Sequence, residues 1–412
     1  MSAGAKPSPA QALHRLGASR LSFGQLELAT LLLLWAFLRL AALFLVPHLS
    51  CLAAWLVNYR AGLVRDGLAG SLLVPWAAWA GQAPVDAVVL AQILCALALI
   101  LACILLLRRP RPAPMLLALA LLSPAGLLFQ VESPERGGKE LVLLAWAGLL
   151  AWRGSRGKPA PAAWALSLAF LLLTALQQEL FFSAPAVLLL LRLLHPALSW
   201  RRRQLAWMLA PSALLWALLA LAPCGPGRLL SIISAFHGNP KAWGPAMGPE
   251  LGMSLGQAFH FASADLAPAK IILTLAGTAL ACAPLALYLA AVDHGRGLLV
   301  DLVSGPAGKA LALLAAAFQL ALLALNPSWG RWLSLDILLA VLGLLAASPR
   351  LSSAPAPGEA RSSPWLFFLL LMALNLFTWQ MDSRFRSLSL SAQPEFLKLL
   401  EPPMLDSSQT LH

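Results

Sequence analysis

The run AVVLAQILCALALILACILLL, Ala87 to Leu107, decides the fold. Gln92 is its one polar residue, it carries no charge, and it ends against Arg108, Arg109 and Arg111. A helix that crosses a bilayer needs about 20 apolar residues, and this run supplies them. The chain around it is built the same way. Of 412 residues, 60% are hydrophobic and 11% charged, and the apolar residues come in repeated runs separated by short basic connectors. Alanine and leucine dominate the runs and period-2 alternation is absent, which favours helices over barrel strands. The expected fold is all-α, a polytopic transmembrane helical bundle of about 10–11 spans.

Working outward from this run, the preceding span is about Leu28 to Val46, with Glu27 before it and Arg39 inside it. Residues 1–25 form a cytoplasmic lead-in. Leu72 to Gly81, broken by Pro75, is too short to cross and suits an interfacial or re-entrant helix after the first span. Downstream the expected spans are Met115 to Phe129, Leu141 to Trp152, Ala162 to Leu176, Leu180 to Leu194, Leu205 to Leu221, Ile271 to Ala291, Ala310 to Leu325 and Leu333 to Ala347. Residues 26–347 are therefore read as the membrane core, with 223–268 as a long external loop. Residues 348–364 read as a flexible linker, 365–380 as a final span, and 381–412 as a polar tail with a short amphipathic piece, Phe396 to Leu400.

The net charge of +12 does not indicate nucleic acid. The basic residues sit in loops between apolar runs, and no basic stripe with interleaved aromatics lies on a soluble domain. Their bias places the amino terminus in the cytoplasm under the positive-inside rule. The first apolar run is long for a signal peptide and lacks a small-residue cleavage site, so it reads as an uncleaved span. Cys51, Cys95, Cys103, Cys224 and Cys282 show no CxxC spacing; a Cys51–Cys224 pair is open, and unpaired thiols are the expectation. No metal ligand set and no cofactor is named by the residues.

The polar residues concentrate in three short segments: Asn58 to Asp66, Glu132 to Glu140, and Gln177 to Glu179. The topology above puts all three on the non-cytoplasmic side, joined there by 223–268, which holds His237 and His260. Ionisable groups at such depths are functional candidates. Asn58, Arg60, Arg65, Arg136, Lys139 and Gln178 are the expected substrate-binding residues, because guanidinium and ammonium groups match phosphate oxygens. Glycines 62, 67, 70, 137 and 138 would let backbone amides approach an anion. Asp66, Glu140 and Glu179 are the expected catalytic carboxylates, as general base or metal ligand. Each also has a plainer reading, as a loop pair, a helix-terminal charge complementing the dipole, or a cap.

Three motifs carry a resemblance. Asn58-Tyr59-Arg60-Ala61-Gly62-Leu63-Val64-Arg65-Asp66-Gly67-Leu68-Ala69-Gly70, Gly137-Gly138-Lys139-Glu140, and Gln178-Glu179-Leu180-Phe181-Phe182-Ser183-Ala184-Pro185 are similar in order and spacing to a sparsely characterised group of bacterial multi-span proteins of surface-polysaccharide loci. That group carries Asn-x-x-Gly-Phe-Val-Arg-Arg-Gly-Leu-x-Gly, then Gly-Arg-Lys-Asp/Glu, then His-Glu before aromatics and proline. Asp66, Gly138 and Gln178 stand where the group has arginine, arginine and histidine. The layout also resembles multi-span glycosyltransferases that use polyprenyl-phosphate sugars. The resemblance covers about residues 25–190. It implies an inner-membrane glycosyltransferase or polymerase of envelope polysaccharide assembly, with membrane lipid and a polyprenyl-phosphate sugar as partners. A transporter or flippase of a lipid-linked or anionic solute, and a non-catalytic scaffold, are the alternatives.

Overall fold

The structure is a computed structural model, and it describes residues 49–107, 121, 138–196, 198, 200–221, 224–263, 268–291, 295–326, 328–347, 378–381 and 388–391. The expected spans 28–46 and 115–129 (Leu121 apart), the linker, residues 365–377 and most of the tail lie outside the described residues.

The described chain is predominantly helical. In order come α1 (Leu49–Leu56), a short 3₁₀ turn (Tyr59–Ala61), α2 (Gly67–Ala80), α3 (Pro84–Leu107), α4 (Glu140–Ser155) and α5 (Ala163–Leu176). A second 3₁₀ turn (Gln178–Ser183) leads into α6 (Ala184–Leu194), and α7 (Arg202–Ala220) follows. Three short helices come next, α8 (Pro226–Ser234), α9 (Pro240–Gly252) and α10 (Leu255–Ser263). The last helices are α11 (Pro268–Ala291), α12 (Gly295–Val303), α13 (Gly305–Leu325) and α14 (Trp329–Ala347). A two-stranded antiparallel hairpin, β1 (Thr378–Met381) with β2 (Leu388–Ser391), stands apart from the all-α expectation. Its second strand alternates Leu-Ser-Leu-Ser, a period-2 pattern that suits a strand, and β1 takes the end of the expected final span.

Three described helices, α3, α13 and α14, are long and apolar enough to cross a membrane. The segments expected as spans at 141–152, 162–176 and 180–194 form helices of 16, 14 and 11 residues, at 1.5 Å per residue about 24, 21 and 17 Å. Each falls short of the roughly 30 Å hydrocarbon core. They are short because polar residues end them: Lys139 precedes α4, and Gln177 closes α5 in an extended conformation (φ −152°, ψ 121°). A bundle of ten or eleven full spans is thus not what the described helices supply. The segment after the first expected span is α2, a 14-residue helix with Pro75 inside it and a left-handed Gly81 closing it. The region 223–268, expected as a loop, folds into α8, α9 and α10. There Phe236 meets Trp243 edge to face, with ring centroids 5.3 Å apart.

The packing explains the apolar exterior. On α3, Leu90, Leu94, Leu97 and Leu101 share an exposed face, while Ala96, Leu99, Cys103 and Leu106 are buried. Trp164, Leu168 and Leu172 repeat this pattern on α5. In water such stripes would drive association; in lipid they are solvated, and helix contact rests on close van der Waals packing at small residues. Gly148 of α4 lies against Ala102 and Leu99 of α3, and Gly343 of α14 against Leu190 and Leu193 of α6. The helices α3, α4, α6 and α14 form the centre. α14 is buried over most of its length, whereas α13 is mostly turned outward. The turn at 178–183 inserts Phe181 and Phe182 beside Trp216 of α7 and Phe318 of α13, the Phe181–Phe318 centroids being 4.9 Å apart.

Candidate functional site

The loop between α1 and α2 is shaped by its own side chains. The Asn58 side chain accepts from the Arg60 amide (3.1 Å) and donates to the carbonyls of Leu56 (3.1 Å) and, across the fold, Ile232 (3.3 Å). The Tyr59 amide donates to Ser71 Oγ (2.8 Å), and the Tyr59 hydroxyl donates to the Ala175 carbonyl (3.1 Å). Burial, with the Asp66 charge adding to it, pushes the Tyr59 phenol up to about 12. Gly62 has φ 94° and Asp66 φ 60°, so the loop turns twice through the left-handed region, where aspartate and asparagine are the tolerated non-glycine residues.

Three of the glycines serve packing. The Gly70 amide donates to the Val57 carbonyl (3.1 Å). A Cβ at Gly70 would overlap the Leu56–Val57 backbone, and one at Gly67 would enter the Tyr59 ring. Their absent side chains let α2 dock on the end of α1. Gly138 leaves room for the Glu140 carboxylate and the Arg331 guanidinium.

Three sequence segments meet at Asp66. Its Oδ1 accepts from the Gln178 amide (2.9 Å). Its backbone carbonyl accepts from Lys139 Nζ (2.8 Å), which also donates to the Leu176 carbonyl (3.0 Å). Lys139 is 1% exposed, so its ammonium ties the first loop, the start of α4 and the end of α5 together from inside. Asp66 Oδ2, by contrast, takes no hydrogen bond from the described residues. Arg65 is 8% exposed; its Nη2 donates to the Ala220 carbonyl (3.3 Å), and its Nε is buried with no hydrogen-bond partner among the described residues. Arg60 is exposed. Gln178 is buried, its Oε1 without a partner among the described residues, and Glu179 is half-buried on the same turn.

Glu140 is ion-paired with Arg331 of α14, 191 residues away, and is 1% exposed. The Arg331 guanidinium also lies 5.2 Å from the centroid of the Trp332 ring. Sequence reading named Glu140 and missed its partner. Arg331 lies in the first turn of α14, ahead of the expected start of that span at Leu333, so it read as part of a connector. Asp336, inside the α14 run, was also missed, although a carboxylate in an apolar segment is the same signal that flagged Arg39. Arg136, Glu132 and Glu135 lie outside the described residues. Of the expected site, the structure brings Asp66, Lys139 and Gln178 into direct contact. Asn58, Arg60 and Arg65 lie on the same loop, Glu179 is on the neighbouring turn, and Glu140 is turned toward α14.

Among the described residues no group of three or more His, Cys, Asp and Glu side chains could hold a metal ion. Cys224 is a free, buried thiol. Comparison with protein families, with curated proteins and with solved structures yields no match.

Proposed function

We propose that this chain is an integral protein of the bacterial cytoplasmic membrane, amino terminus inside, that transfers or polymerises sugars carried on polyprenyl phosphate. The observation that carries the reading is Asp66, a carboxylate held by one oxygen and by its own backbone while its second oxygen is unbonded among the described residues. A base fixed in this way loses little freedom when it meets substrate. In the reaction the acceptor hydroxyl oxygen attacks the anomeric carbon and Asp66 Oδ2 takes its proton. The bond from that carbon to the phosphate oxygen breaks, and the phosphate leaves with the electron pair. In this reading Arg60 and the Nε–H of Arg65 receive the phosphate charge, and Gln178 Oε1 accepts from a sugar hydroxyl. Lys139 acts as a positioning residue, since its donors already hold backbone carbonyls.

The test is transfer from a polyprenyl-phosphate sugar by purified protein in lipid. Asp66→Asn keeps the Oδ1 contact and lowers transfer by about 10²–10⁴ with binding unchanged, and Arg60→Ala weakens binding of the lipid phosphate. Wild-type rates from Asp66→Asn would remove the reading. A second reading, a transporter of a lipid-linked or anionic solute, gains from Asp336, a carboxyl inside α14. It requires gradient-dependent flux with no sugar transferred.

A further inference from the structure

Beside the 178–183 turn, the helices α6, α11, α12, α13 and α14 line a half-open cavity of about 360 Å³. Phe182 of that turn also lines it. On α14 its wall is Asp336, Leu339, Ala340 and Leu344, at i, i+3, i+4 and i+8, one face of the helix. From Asp336 to Leu344 the slot runs about 12 Å at 1.5 Å per residue. Every other lining residue but one is Leu, Ala or Phe; the exception is Gln319 of α13.

Both polar groups present oxygen acceptors that lack a donor. Among the described residues Gln319 Oε1 is buried with no hydrogen-bond partner, and no hydrogen bond or ion pair ends on Asp336. No cation among the described residues lines the cavity. A polar group left so in an apolar setting is costly, and an ionisable group inside a membrane span marks a functional site by default. An alkane would leave both acceptors unsatisfied. A lipid headed by carboxylate or phosphate would add acceptors where two already lack a donor. What fits is an apolar chain ending in a hydrogen-bond donor.

We propose that this cavity is an intramembrane binding site for a single-chain lipophile whose head donates hydrogen bonds, a long-chain alcohol or amine. The head meets Asp336 and Gln319, and the chain lies along α14 toward Leu344. The site is separate from the Asp66 cluster and does not depend on the reading given for it.

The experiment uses the whole chain in lipid nanodiscs and measures saturable retention of radiolabelled dodecanol, dodecylamine, dodecane and dodecanoate over empty nanodiscs. One dodecanol or dodecylamine per chain is expected, with at least tenfold weaker retention of dodecane and dodecanoate. Gln319→Leu combined with Asp336→Leu should weaken donor-headed binding tenfold or more. Ala340→Phe should abolish it by filling the slot; if that variant melts early, Ala316→Phe fills the slot from α13 instead. Asp336→Asn separates the sources: loss of amine alone assigns an ammonium head, and retention of both assigns a neutral donor. Absence of saturable binding, dodecane bound as well as dodecanol, or full binding by both the Leu double variant and a filled-slot variant would each overturn the proposal.

Discussion

Replacing Lys139 with methionine keeps the length of the side chain and removes only the ammonium. In the folded chain that ammonium donates to the carbonyls of Asp66 (2.8 Å) and Leu176 (3.0 Å) and is 1% exposed. A hydrogen bond to a charged group is worth about 1.5–3 kcal/mol, so two give a gross loss of about 3–6 kcal/mol. Against this stands the relief of no longer burying a charge, which returns a part of it. The net expectation is a destabilisation of about 3 kcal/mol, or a fall in Tm of roughly 6 °C at about 2 °C per kcal/mol for a large domain. Tryptophan fluorescence during heating in a mild detergent reads it, with Lys139→Arg as the comparison that keeps the charge. If Lys139→Met melts with the wild type but loses binding of polyprenyl phosphate, the ammonium is a substrate contact and the reasoning is refuted.

Other predictions follow from the same geometry. Asp66→Asn should leave stability within about 0.5 kcal/mol, because asparagine accepts the left-handed φ and the Gln178 amide. Asp66→Val should cost about 2 kcal/mol through strain and the lost hydrogen bond, as denaturant melts would show. Arg331→Leu alone should cost about 3–5 kcal/mol by leaving the buried Glu140 charge without its cation, and the double variant Glu140→Leu with Arg331→Leu should recover much of that loss. For Tyr59 the folded phenol holds its proton to about pH 12, while an unfolded one releases it near pH 10. Its contribution is therefore full below pH 10 and is lost as pH rises from 10 to 12, and Tyr59→Phe should flatten the melting curve across that window. Gly70→Ala should lower Tm sharply, since a Cβ there meets the Leu56–Val57 backbone.

The helical, membrane-suited character of the chain was legible in its apolar runs, and the polar segments 58–66, 132–140 and 177–179 stood out in the sequence. A polar residue in an apolar run has to be accommodated somewhere, and the three segments meet one another through Asp66, Lys139 and Gln178. The roles within them were not legible. Whether Lys139 faces a ligand or two backbone carbonyls depends on where α5 ends in space, which no local pattern encodes. The Glu140–Arg331 pair spans 191 positions, beyond any periodicity. Helix starts were placed too late at several spans, since α4, α13 and α14 begin at Glu140, Gly305 and Trp329, in stretches of polar and glycine residues that apolar composition does not mark. The Leu-Ser alternation at 388–391 was, by contrast, visible and passed over.

The first loop is finished by residues made much later. Asn58 waits for Ile232, Arg65 for Ala220 and Glu140 for Arg331. A ribosome that has released only the amino-terminal half has therefore produced the charged segments without the groups that neutralise or cap them. Synthesis of this chain leaves Glu140 without its partner until α14 arrives, which makes its late helices chaperones of its early ones. A substitution at Arg331 can then surface as a biogenesis defect at the start of α4, 191 residues upstream.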